Sequence, residues 1–190
     1  KIILLPGSRR SEISLILPAM LTATAIIKRH DPNVNFVLPA VPHLLPLIQS
    51  LVAGSGVTIL DQPDDLIPAL QTSDAMIATS GTITLQAALC GTVGVTCYRT
   101  SAFSGFIGRR LVDLDKVILP NAILGRPLYP FYFQEAANGK TLAAATLDCL
   151  DDANAKSSAR QAAIELKSLL TGGAKSFDEL VISALKNWLV

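Results

Sequence analysis

The sequence predicts an α/β domain, a doubly wound parallel sheet of about six strands with helices on both faces and extra helices at the C-terminus. Three observations predict it. Short β-rich runs alternate with longer helical ones as far as about residue 119. The strand runs are apolar almost without interruption, as strands buried on both faces must be. Small glycine- and hydroxyl-bearing turns, Pro6-Gly7-Ser8 and Thr79-Ser80-Gly81-Thr82, follow the first and fourth of them.

Taken in order, Ile2–Leu5 reads as the first strand and leads into a helix from about Arg10 to Arg29. Asn35–Leu38 is the second strand, with a helix around Leu44–Ala53, and Val57–Leu60 is the third, with a short helix near Leu66–Gln71. Ala75–Ala78 and a helix over Thr82–Leu89 come next, then Val93–Tyr98 and a helix over Phe103–Val112. Val117–Leu119 is expected as the sixth strand. Helical runs near Lys140–Leu150, Ser157–Leu170 and Ser176–Leu189 close the chain, the last two parted by Thr171-Gly172-Gly173, a normal helix stop. Six strands so connected most often take the order 3-2-1-4-5-6, and ligands bind where strands 1 and 4 meet at the carboxyl edge.

The totals remove several functions. A chain of 190 residues and 20.1 kDa is one domain with room for a real core, and half its residues are hydrophobic. A net charge of +1 argues against a general nucleic-acid binder, which needs clustered lysine and arginine. Cys90, Cys97 and Cys149 have neither disulfide arithmetic nor zinc spacing and read as structural thiols. Ile13–Ile27 is short for a membrane span and contains Pro18; Ala75–Tyr98 is broken by glycine, serine and threonine. No signal peptide is visible, and the chain opens on Lys1 without a methionine.

The turn after strand 1 places Arg9 and Arg10 where a helix begins. That end already carries about half a positive charge, so two cations there call for an anion. Gly7 lets the backbone approach a ligand, and Ser8 can cap the helix, leaving first-turn N–H groups as an anion site. Ser80, Gly81 and Thr82 offer the same chemistry after strand 4. Side by side, the two turns suit a diphosphate, with Arg9 or Arg10 as a bidentate cation. The competing reading is two ordinary capped turns with solvated arginines. Neither turn is a GxGxxG or GxxxxGK[ST] loop, which disfavours a nicotinamide cofactor or ATP hydrolysis. Gln86, one turn beyond Thr82, could reach an attached sugar or merely flank its helix. In "VILPNAILGRPLYP", Asn121 follows Pro120 as a natural cap and Arg126 is a second possible anion ligand, although a capped turn explains the pattern as well.

"LLPGSRRSEI", "ATSGTITLQAAL", "GTVGVTCYRTS" and "VILPNAILGRP" stand in the order and spacing of lipid-A-disaccharide synthase, and the chain resembles the C-terminal half of that family over essentially its whole length. The resemblance implies the second, Rossmann-like domain of a GT-B glycosyltransferase: residues 1–190 as the UDP-donor domain, closing helices at 140–190, and the N-terminal acceptor domain absent. It implies transfer of 2,3-diacylglucosamine from its UDP derivative to 2,3-diacylglucosamine 1-phosphate, inverting, β-1,6-linked, with neither metal nor cofactor. By position, Gly7, Ser8, Arg9, Ser80, Gly81, Thr82 and Arg126 would hold the diphosphate and Gln86 the ribose. Arg9 and Asn121 would be catalytic, and the general base would lie in the missing half. The implied partners are the two lipid substrates, the chain's own N-terminal domain, a second copy, and membrane lipids met peripherally from the cytoplasmic side.

The chain departs from the family where Gln86 replaces the usual Glu, and where Pro127 and Phe131 stand among positions that are often acidic; Gln134 and Glu135 follow the pattern. Phe103, Phe106, Ile107, Arg109 and Arg110 could form an apolar, basic patch for lipid headgroups, or a plain core helix. His30, His43 and Trp188 carry no assigned chemistry. Two rival readings remain: a UDP-sugar 2-epimerase-like domain, and a non-catalytic nucleotide-binding or assembly module.

Overall fold

The computed structural model describes residues 1–100 and 117–172. Its sheet has six strands in the order 3-2-1-4-5-6, every neighbouring pair parallel. The strands are β1 (Ile2–Leu5), β2 (Phe36–Pro39), β3 (Val57–Leu60), β4 (Ala75–Thr79), β5 (Gly94–Tyr98) and β6 (Phe131–Phe133). The described helices are α1 (Arg10–His30), α2 (Leu45–Val52), α3 (Leu66–Gln71), α4 (Thr82–Leu89), α5 (Leu119–Leu124), α6 (Gly139–Asp151) and α7 (Ala153–Thr171). The predicted helices over Phe103–Val112 and Ser176–Leu189 lie outside the described residues, as do the lipid patch and Trp188.

Side chains on successive strand residues point to opposite faces. Ile2, Leu4, Phe36, Leu38, Ala75 and Ile77 therefore share one core with α1, α2 and α6. Ile3, Leu5, Val37, Met76 and Ala78 share the other with α3, α4, α5 and α7. Both faces are covered, so the central strands have no polar side, which explains their unbroken apolar sequence. Helix α1 is long and apolar enough to cross a membrane by length and composition. Here it is a core helix, burying Ile13, Ile16, Leu17, Met20, Ala23 and Ile27 against the sheet and α6. Small residues bring α1 and α6 together: a Cβ on Gly139 would collide with Thr22.

The sixth strand differs from expectation. Val117–Leu119 does not join the sheet; Leu119 opens α5, with Pro120 in its first turn. Proline has no N–H for a ladder but fits a helix start, so this apolar run folds as a helix entrance. The chain then returns through Tyr129 to Phe131–Phe133, an aromatic triplet suited to a strand, which pairs with Thr96–Tyr98 of β5.

Cys97 on β5 is fully buried, and burial raises its thiol from 9.0 to about 12. Burial raises Cys90 and Cys149 in the same direction. The unfolded chain releases these protons near pH 9 while the folded chain holds them, so the thiols' contribution to stability is fully present below pH 9 and is lost as the pH rises toward 12. Thermal unfolding should give a Tm that drops steeply between pH 9 and 12, and Cys97→Ala should flatten the drop.

Candidate functional site

Strands β1 and β4 are hydrogen-bonded neighbours in register from Ile2↔Ala75 to Leu5↔Ala78. Their carboxyl ends therefore deliver the two turns side by side. Gly7 has φ 105°, and a Cβ there would lie 2.5 Å from the Glu12 carboxylate and 3.2 Å from the Thr79 methyl. Only glycine lets the first turn fold this closely over α1 and the end of β4. On the other side, the Ser80 N–H donates to the Cys97 carbonyl at 3.0 Å and the Ser80 hydroxyl to the Val117 carbonyl at 3.2 Å. Ser80 thus anchors its turn to β5 and to the approach to α5. A Cβ on Gly81 would meet nothing within 4 Å, because that residue borders open space.

That space is a cavity of about 570 Å³, within the usual size of a small-molecule site. Gly7, Ser8, Arg9, Ser80, Gly81, Thr82 and Gln86 all line it, so seven of the nine residues that the family resemblance assigns meet there, while Arg10 does not line it. Both helices that open into it begin without a side-chain cap: Arg9 is the N-cap of α1 and Gly81 that of α4. Ser8 does not cap α1, contrary to expectation. The first-turn N–H groups of two helices are left without side-chain acceptors, which favours an anion in front of them. The Thr84 hydroxyl donates back to the Gly81 carbonyl at 2.7 Å, fixing the first turn of α4.

The arginine already has a partner. Arg9 Nη1 donates to Glu12 Oε1 at 2.7 Å; the arginine side chain is 76% exposed and the glutamate 12%. This hydrogen bond, reinforced by the Glu12 charge, raises the guanidinium above its ordinary pKa, so it stays cationic. A screened pair of this kind holds a side chain loosely. Arg9 is therefore stationed at the cavity and free to pivot.

Asn121 and Arg126 do not line this cavity. Asn121 is 5% exposed, and its amide clasps the return to β6. Its Oδ1 accepts from the N–H groups of Leu128 and Tyr129 at 2.9 and 3.1 Å, and its Nδ2 donates to the Tyr129 carbonyl at 3.1 Å. It lies within α5 and does not cap it. The Tyr129 hydroxyl then donates to the Thr92 carbonyl at 2.7 Å, in the core. Arg126 pairs with Glu165 of α7 at 2.6 Å. The "PN…GR" pattern thus fastens the chain between α5 and β6: Asn121 holds the return to the sheet and Arg126 ties it to α7, and neither residue shares the cavity with the other predicted site residues.

Sequence reasoning missed a third wall. Ala40, Val41 and Pro42 after β2, with Gln62 and Leu66 after β3, also line the cavity and give it an apolar side. The signal was available, since all βα turns of a parallel sheet open at one edge, but the turn after β2 is apolar and the one after β3 carries Asp61, Asp64 and Asp65, neither of them a phosphate-binding pattern. Among the described residues, no group of three or more His, Cys, Asp or Glu side chains converges in a way that could hold a metal ion.

Solved structures with this fold include a glycotransferase of kitacinnamycin, with TM-score 0.61 and 16% identity over 97% of this chain and 42% of that one. A TarM variant of S. aureus, solved with UDP, gives TM-score 0.56 and 15% identity over 90% and 34%. A UDP-N-acetylglucosamine 2-epimerase from Listeria monocytogenes gives 0.51 and 16% over 90% and 43%. Likenesses this distant concern the fold alone, which is the Rossmann-like domain of GT-B glycosyltransferases and their structural kin. The family model described as lipid-A-disaccharide synthetase matches residues 1–184, and the chain belongs to that family. Relatives named lipid-A-disaccharide synthase include proteins from Nitrosococcus oceani, 32% identical over 96% of this chain, and Burkholderia vietnamiensis, 43% identical over 80%. The chain spans 48% and 40% of their lengths, about half of each relative.

Asn121→Ala should leave one buried and one part-buried N–H group without acceptors and destabilise the fold by about 1–3 kcal/mol, read as a lower urea midpoint. Arg126→Ala, which breaks a half-exposed ion pair, should cost about 1 kcal/mol or less. The reverse ranking would show that the amide clasp has been misassigned.

Proposed function

We propose that this chain is the donor-binding half of a lipid-A-disaccharide synthase, holding the UDP of UDP-2,3-diacylglucosamine while the sugar passes to 2,3-diacylglucosamine 1-phosphate. The observation that carries the reading is the single cavity into which α1 and α4 both open uncapped, with Arg9 at its edge. Family membership supports the donor and acceptor chemistry and disfavours the epimerase reading.

In this reading the pyrophosphate lies before the amides at Gly7–Arg9 and Gly81–Ile83. Gln86 reaches the ribose from α4, and the base rests on the apolar wall at Ala40–Pro42. Gln86 keeps an acceptor oxygen for a ribose hydroxyl but lacks the charge and second acceptor of glutamate, which weakens that contact. As the glycosidic bond to UDP breaks, negative charge grows on the leaving diphosphate. Fixed N–H dipoles and a pivoting guanidinium stabilise that charge more than the ground state, which lowers the barrier without a metal. The acceptor and the general base belong to the N-terminal half of the full protein, which meets this carboxyl edge. The reaction is inverting and makes the β-1,6 link, beside the cytoplasmic face of the inner membrane.

Calorimetry on this chain should detect UDP at a micromolar to millimolar Kd, about −4 to −8 kcal/mol. UMP should bind less tightly, and NADH and ATP should not compete. Arg9→Ala should weaken UDP more than uridine. No preference for UDP over ADP, or equal losses for UDP and uridine, would contradict the donor-site assignment.

A further inference from the structure

Glu12 is the one carboxylate among the described residues lining the cavity, and it faces the space assigned above to a pyrophosphate. It stands at the third position of α1, from which a glutamate ordinarily reaches back to complete a capping box. Here the N-cap residue is Arg9, whose side chain has no acceptor oxygen for the reciprocal bond, and Glu12 accepts from its guanidinium at 2.7 Å. The two partners differ in freedom. Glu12 is 12% exposed and lodged beneath Gly7, with Oε2 2.5 Å from where a Cβ would sit, whereas Arg9 is 76% exposed. When an anion enters, Arg9 is the member that turns toward it, and the carboxylate stays.

We infer that Glu12 is a built-in competitor for the nucleotide diphosphate: it occupies Arg9 in the empty site, repels the bound anion, and speeds its departure. This rests on the donor-site reading and adds a device for release to it. The site has two uncapped helix ends and a guanidinium, all drawing a diphosphate in, so the product UDP is bound by the groups that stabilise its formation. Product release limits turnover in many enzymes. A fixed negative charge inside the anion pocket opposes that trap, and it also returns Arg9 to its station once the ligand leaves. Glu12 acts on the ligand chiefly through Arg9, so it is a positioning residue.

A purely structural glutamate and a competing one predict opposite signs. Glu12→Gln keeps the size of the side chain and an acceptor oxygen but removes the charge. It should tighten UDP by about two- to fivefold, the size of one partly exposed charge contact. The UDP dissociation rate, measured by stopped flow, should fall by a similar factor, while uridine affinity stays unchanged. UMP should gain less than UDP. Glu12→Ala, the second variant should the first fail to fold, must also tighten UDP and slow its release. Unchanged or weaker UDP binding in a folded variant would overturn the inference while leaving the donor site standing. Failure of the unaltered chain to bind UDP at all would remove the site itself, and the inference with it.

Discussion

Everything proposed for this chain depends on the pairing of β1 with β4. The chain reaches β4 only after building β2 and β3, yet the two strands end up hydrogen-bonded in register over four residues. That is the point where the direction of winding reverses. On either side of it successive helices cover opposite faces of the sheet, so the turns at the carboxyl edge diverge there and leave a crevice. Two turns separated by some seventy residues of sequence become two walls of one cavity. Backbone amides need only small residues to be exposed, which is why glycine, serine and threonine occupy both turns while bulky side chains are kept to strands and helices.

The electrostatics of the cavity are those of a site that must both hold and let go. Helix ends without side-chain caps are costly to leave facing an apolar interior; facing a solvent-filled pocket they are tolerable and available. Arg9 adds charge without rigidity, since its pairing with Glu12 is an exposed ion pair. Ser80 is the rigid element, tied at both its N–H and hydroxyl to neighbouring chain segments. The opposite, apolar wall at Ala40–Pro42 contributes shape instead of charge.

Much of this was legible in the residues. The strand order follows from alternation and handedness, and the position of Gly7 and Gly81 at the reversal point follows from the strand order. The sixth strand was not legible because Val117–Leu119 and Phe131–Phe133 are both short apolar runs, and only the proline at 120 distinguishes a helix entrance from a ladder. What Asn121 does for the fold was hidden for a related reason. The three backbone groups that its amide satisfies come within its reach only when the return loop through Leu128 and Tyr129 is placed. Glu12 was equally hidden, because a glutamate in a first helical turn reads as a favourable dipole contact until its arginine partner and the glycine above it are seen together.

The most direct measurement of the central claim is an amide-resolved NMR titration of the 15N-labelled chain with UDP. The account predicts that resonances of residues 7–12 and 80–83 move together along one binding curve, with those of 121–129 left nearly in place. Movement of only one turn, or movement centred on Asn121 and Arg126, would contradict a site built from both helix ends.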